Sequence, residues 1–174
     1  MGIIRTERLD LIPAPTDFIE LLVDGEYQRA GDLLNVTIPD GWPHDNDART
    51  GLSFHLQAIR SDPLELLWRI RLIVLRSGRT VIGSVNLKGP PDESGAVEIG
   101  WGVSPEHQRQ GIAVEASEAV IGWVRSQPKV RRIIAAIPAD KVASIRVAER
   151  LGMRAAGESC RNLPVWELDL RGRV

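Results

Sequence analysis

The stretch that most constrains this 174-residue chain is Ala96–Arg125, AVEIGWGVSPEHQRQGIAVEASEAVIGWVR. Val97, Ile99, Trp101 and Val103 alternate with Glu98, Gly100 and Gly102, the period of a strand with one apolar face. Ser104-Pro105 breaks that strand, because proline donates nothing to a ladder. Beyond Gly111 the period becomes helical, with Ile112, Ala116, Ala119, Val120 and Trp123 on one stripe. The residues Gln108, Arg109, Gln110, Gly111, Ile112 and Ala113 therefore sit where a strand hands over to a helix N-terminus.

A helix start leaves four backbone N–H groups without partners and carries the positive end of the dipole. Gly111 and the small Ala113 let a large anion come close to those amides, and Arg109 adds a cation. The expected ligand is a phosphate or pyrophosphate. The Gly-Lys-Ser/Thr ending of a P-loop is absent, and so are the three glycines of the dinucleotide fingerprint.

The segment Gln108–Ala113 resembles the Gln/Arg-x-x-Gly-x-Gly/Ala motif of the GNAT N-acetyltransferases. Glu98-Ile99-Gly100-Trp101 before it, Glu115-Ala116 after it and the opening Thr6-Glu7-Arg8-Leu9 are similar to the RimJ/RimL-like branch, which acetylates ribosomal-protein N-termini. The resemblance runs from about Arg5 to Cys160. It implies a mixed α/β fold: a mostly antiparallel twisted sheet, a splayed parallel central strand pair and flanking helices. It also implies acetyl-coenzyme A as cosubstrate, a primary amine as acceptor (a protein N-terminus or a small molecule) and direct attack in a ternary complex. Homodimers are frequent in the family.

Read in order, Thr6–Pro13 is a first strand and Thr16 or Asp17 caps a helix that Glu26–Leu34 continues. Asn35–Asp47 is a loop, and a helix spans about Ala48–Arg60 until Asp62-Pro63 stops it. Leu66–Arg76 and Arg79–Leu87 form a hairpin through Ser77-Gly78. Arg131–Ile137 reads as a buried strand parallel to the central one. Asp140 caps a helix to Leu151 that ends at Gly152, and Met153–Cys160 pairs with Val165–Leu170. Residues 1–174 are expected to form one domain.

Acetyl transfer to an amine needs a held cofactor, a proton acceptor and a donor for the developing oxyanion. Backbone N–H groups from Trp101, Gly102 and Val103 suit the last of these. Glu98 is the candidate general base, since a carboxylate lining a hollow of the glycine face can accept the amine's proton. Its alternative is an ion pair with an arginine of a neighbouring strand, such as Arg69 or Arg71. Ser144 is the candidate general acid or thiol-binding group, and its alternative is packing in an early helix turn. Ala139–Val147 resembles the family's Asn-x-Ala-Ser-x-Arg-Val with two departures. Lys141 stands in place of the asparagine that bonds the pantetheine arm, and is expected to supply charge to the phosphates. Ala148 stands where other branches carry an acid tyrosine. These departures keep a second reading open, a coenzyme A-binding regulatory or scaffold protein without catalysis.

A formal net charge of -1 leaves no basic footprint for nucleic acid or membrane. One cysteine, Cys160, allows no internal disulfide and has no identifiable activating base. His44, His55, His107 and Cys160 lack metal-ligand spacing. His44, among Asp40, Asp45 and Asp47, could meet an acceptor amine or belong to a solvated loop. The tryptophans read as core or groove wall. Met1–Thr6 matches the myristoylation pattern, which occurs often by chance, and the cytoplasm is the expected location.

Overall fold

The alternation of Ala96–Val103 is a strand with those bounds, β5, and it lies at the middle of the molecule. The computed structural model describes residues 2–43 and 46–171, so His44 and Asp45 of the acidic loop lie outside the described residues. Before β5 come β1 (Ile4–Arg5), β2 (Leu9–Pro13), β3 (Ile70–Leu75) and β4 (Thr80–Leu87); after it come β6 (Arg132–Ala136), β7 (Arg154–Cys160) and β8 (Leu163–Asp169). They form one sheet in the order β1-β2-β3-β4-β5-β6-β8-β7. The β5–β6 pair is parallel and the other neighbours are antiparallel. Helices α1 (Thr16–Val23), α2 (Tyr27–Leu34) and α3 (Asn46–Ser61) precede β3; α4 (Ile112–Arg125) links β5 to β6, and α5 (Val142–Arg150) links β6 to β7.

Two apolar layers cover the two faces. On one, α1–α3 pack Phe18, Ile19, Leu52, Leu56 and Ile59 against Ile70, Leu72 and Val74. On the other, Ile112, Ala116, Val120 and Val124 of α4 pack against Val85, Val97, Ile99 and Ile133. The sheet is therefore buried from both sides where β2 and β3 run, and β2 shows no alternation of exposure from Leu9 to Ile12.

Several expectations are corrected. Thr6–Arg8 is a turn between β1 and β2, closed by the Thr6 side chain accepting the Leu9 N–H at 3.0 Å. Leu66–Trp68 belongs to a 3₁₀ turn, Pro63–Trp68, whose start Asp62 caps through the Leu64 N–H at 2.9 Å. Proline at the first position and an Asp before it favour that turn over a strand. Neither Thr16 nor Asp17 caps α1, which begins after Pro15; Lys141, not Asp140, is the N-cap residue of α5. Gly152 (φ 78°) does end α5. Its N–H donates to Glu149 O and that of Met153 to Ala148 O, both at 3.0 Å, which is the Schellman pattern.

Candidate active site

The register of the central strands creates a gap. Parallel pairing of β5 with β6 runs Ala96↔Arg132, Val97↔Ile133, Glu98↔Ile134 and then stops. Beyond it β6 stays with β8 through Ala135↔Trp166 and Ala136↔Val165, while β5 stays with β4 as far as Gly83↔Val103. The two strands thus part directly after Glu98. Because they are parallel, the helices that follow them, α4 and α5, both begin at the open end of the gap.

Hydrogen bonding on the β4 side decides which backbone groups face that gap. Lys88 N–H donates to Glu98 O at 3.0 Å and Ser104 N–H to Ile82 O at 2.8 Å. In an antiparallel ladder such bonded pairs recur every second residue. Gly100 and Gly102, opposite Asn86 and Ser84, are therefore committed to β4. Trp101 and Val103 turn their N–H and C=O groups the other way, into the gap. Of the three residues expected to offer an N–H, Gly102 is corrected on this ground, and Trp101 and Val103 remain.

The side chains divide with the same period. Val97, Ile99, Trp101 and Val103 lie with α4. Glu98, Gly100 and Gly102 lie on the face of Asn86 and Ser84, which at β3 is the face covered by α1–α3. A Cβ at Gly100 or Gly102 would meet nothing within 4 Å, so this face borders open space beside Glu98. The Asn86 Oδ1 is buried there with no hydrogen-bond partner among the described residues.

Glu98 is nearly enclosed, with 13% of its side chain exposed, and it is ion-paired. Its partner is Arg161, at the turn between β7 and β8. The guanidinium is bidentate, Nη1 donating to Oε2 at 3.0 Å and Nη2 to Oε1. The partners considered from sequence are engaged elsewhere. Arg69 donates to Glu65 at 2.6 Å and to Lys88 O at 2.7 Å, and Arg71 lies 4.9 Å over the Trp123 ring. The carboxylate holds the Arg161 pKa above its ordinary value, against the opposing effect of burial.

The phosphate-type loop is built as its composition suggests. After the Pro105–His107 3₁₀ turn, Arg109 (φ 60°) and Gly111 (φ 77°) take left-handed conformations, and Gly111 is the N-cap of α4. The first helical bond is Glu115 N–H to Gly111 O at 3.0 Å, which leaves the amides of Ile112, Ala113 and Val114 at the helix mouth. Arg109 is exposed beside them. Gln108 and Gln110 brace the loop: their Nε2 groups donate to Val103 O at 3.0 Å and to Glu106 O at 3.1 Å. A Cβ on Gly111 would meet only Arg8 Nη2, at 3.7 Å, so the space above the amides suits a phosphate.

Arg8 was not singled out by sequence reasoning. Its Nε and Nη2 bind Glu115 Oε2 at 2.7 and 2.6 Å, and its Nη1 donates to Gln110 O at 3.0 Å. Thr6 adds its hydroxyl to Glu115 Oε1 at 2.5 Å. Burial favours the neutral acid at Glu115, but the bonds from Thr6 and Arg8 outweigh it and hold its pKa below the ordinary glutamate value. The β1–β2 turn thus clamps the first turn of α4. The only signal in the sequence was the resemblance of Thr6–Leu9 to a family opening; the partner lay a hundred residues away.

Ser144 is half-buried in the first turn of α5, and Lys141 is exposed at its N-cap. Ala148 is fully buried. Trp68 and Trp123 pack at 5.0 Å, and Trp42 is core. Cys160 forms no disulfide and ends β7. No helix among the described residues is long and apolar enough to cross a membrane.

Residues 8–154 match the family model described as the acetyltransferase (GNAT) domain. An uncharacterized N-acetyltransferase of Bacillus subtilis (strain 168), YjdG, is 36% identical over 81 residues, 47% of this chain and 48% of the relative, so the matched part spans about half of that protein. A GNAT-family acetyltransferase from Bacillus anthracis superposes with a TM-score of 0.63 at 21% identity, covering 97% of this chain and 99% of its own. RimL, a ribosomal L7/L12 alpha-N-protein acetyltransferase in complex with coenzyme A, superposes with a TM-score of 0.64 at 16% identity over 99% and 100% of the two chains.

Proposed function

This chain belongs to the GNAT acetyltransferase family, and from that premise we propose that it is an acetyl-coenzyme A-dependent N-acetyltransferase acting on a primary amine, in the manner of the RimL-like branch. The observation that carries the reading is the gap beyond Glu98, bordered by a free strand edge and opening towards two helix N-termini.

In this reading the amides of Ile112, Ala113 and Val114, with Arg109, hold the pyrophosphate, and Gly111 keeps the approach open. Lys141 adds charge to the phosphates. Trp101 offers its outward N–H and C=O groups, and Val103 its N–H, to the pantetheine arm and to the carbonyl oxygen as it gains charge. Acetyl-coenzyme A supplies the activated thioester. A C–N bond forms as the C–S bond breaks. Of the two protons the ammonium loses, Glu98 takes one and the leaving thiolate receives the other, with Ser144 as its donor group. Residues 1–174 work as one domain around the shared sheet.

The reading is tested by free-thiol release from acetyl-coenzyme A over a broad amine panel, with calorimetry of coenzyme A binding to wild type and Gly111→Leu. Turnover with at least one amine, and affinity lower by about 10²-fold or more in the variant, is expected from the loss of several amide contacts. Tight binding without turnover favours the catalytically inactive binder. Unchanged affinity in Gly111→Leu moves the cofactor elsewhere.

A further inference from the structure

We infer that Arg161 is the acceptor-recognising group of this site, and that the acceptor is an amine carrying a carboxylate within a few bonds of its nitrogen. The inference rests on the acetyl-transfer reading above and on Glu98 as its proton acceptor.

Three observations lead to it. First, the Glu98–Arg161 pair sits in the site: the guanidinium closes on the carboxylate where β5 and β6 part, beside the open glycine face. Second, the two partners are unequally held. Glu98 is 13% exposed on a central strand, whereas Arg161 is 59% exposed at a hairpin tip. The guanidinium stands in water and loses little on leaving Glu98, so it can exchange that partner for a ligand's carboxylate, while the enclosed Glu98 needs a cation in its place. Third, Arg161 (φ 52°) and Asn162 (φ 62°) fill both central positions of the β7–β8 turn in left-handed conformations. Such turns favour Asn and Gly; an arginine at the first position is costly there, and local backbone strain of this kind gathers at ligand-binding places.

The chemistry then selects the ligand. A guanidinium fork binds any carboxylate in the same two-bond geometry. An amino-carboxylate can insert into the existing pair, its ammonium going to Glu98 and its carboxylate to Arg161. Both charges of the protein stay paired. An amine without an anion must take Glu98 from Arg161 and offers the guanidinium only water in return. The carboxylate must lie close to the amine because the two protein groups touch. A free α-amino acid meets this condition, and so does a peptide beginning with aspartate.

The test uses matched acceptors: a free α-amino acid against its amide, and a peptide amide beginning with Asp against the same peptide beginning with Asn. The first pair and the second distinguish the two sources of carboxylate. Wild type should favour the carboxylate member of at least one pair by about tenfold in kcat/KM, mostly through KM. Arg161→Gln should abolish that preference and raise turnover of the neutral member, because Glu98 is released; Arg161→Lys should restore part of the preference. Binding of the corresponding N-acetylated products in the presence of coenzyme A, measured by calorimetry, needs no turnover and should show the same order. Neutral members used as well as carboxylate members, or a preference that survives Arg161→Gln, overturns the inference. So does product binding with no preference. A preserved product preference without turnover of any amine counts against the acetyl-transfer reading and leaves this site standing.

Discussion

At the scale of single residues, charge and burial pull apart. If Glu98 takes the proton as proposed, it must be released from the guanidinium that covers it, and the Glu98–Arg161 pair would then be the state before the acceptor arrives. Glu98→Gln is expected to lower turnover by about 10²–10⁴-fold at neutral pH while coenzyme A affinity stays near wild type. The deficit should shrink at high pH, where the amine is already neutral; full activity at pH 7 would make the ion pair structural. His55 shows the reverse situation. It is 2% exposed on α3, and its Nδ1 lacks a hydrogen-bond partner among the described residues. Burial, then the charges of Lys88 and Arg69, lower its pKa from 6.5 to about 4. Between those values the unfolded chain binds a proton that the folded chain does not. Stability is therefore complete above about pH 6.5 and is lost as pH falls towards 4, by up to about 2–3 kcal/mol. Thermal unfolding at pH 7 and pH 4.5 should show a drop that is smaller in His55→Leu; an equal drop would assign it to other groups.

At the scale of elements, the N-terminal turn and α4 behave as one unit. Thr6 and Arg8 fix Glu115, and Arg8 also grips Gln110 O, so the cradle is held from the β1–β2 turn as well as by its own Gln108 and Gln110. Arg8→Ala should weaken coenzyme A binding about tenfold, Glu115→Gln should do nearly the same, and the double variant should be little worse than either, since the contact is shared. Additive losses would show two independent effects. Much of this element layer was legible in the chain. The bounds of β5 and the start of α4 follow from a change of period at Pro105 and Gly111, because both residues act on the backbone locally. What was missed depended on distance: nothing near Arg8 names Glu115, and nothing near Glu98 names Arg161. Leu66–Trp68 was misread for a local reason, since an apolar run after Asp-Pro can wind as readily as it can extend. The caps were misplaced for another: Pro15 and Lys141 hold those positions, neither with a side-chain cap.

At the scale of the molecule, the sheet is continuous on one side of β5 and open for half its length on the other. A ligand that lies along the free edge should protect the amides of Trp101 and Val103 from hydrogen exchange. Gly100 and Gly102, already bonded to β4, should change little. Coenzyme A at about one hundred times its Kd should also raise stability by about 2.7 kcal/mol, read as a higher melting temperature. Protection that falls equally on Gly100 to Val103 would mean that the whole strand tightens and that no new strand-like partner has docked. The splay is the one global feature that no local pattern in Ala96–Ile137 announces, because it is set by where pairing stops and not by which residues favour a strand.

That alternation makes β5 a strand that can only be counted in twos. Even residues carry the carboxylate and the smooth floor, and odd residues carry the outward amides and the apolar wedge. Removing one residue between Glu98 and Val103 would exchange the two sets beyond the deletion, sending a tryptophan into the acceptor hollow and the outward amides into β4. Removing two would shorten the edge but preserve its sense. A change of length in odd steps along β5 would therefore cost the site its geometry unless a bulge absorbed it. The turn before β5 has no such parity to keep, whereas the segment after it carries the braced loop that opens α4.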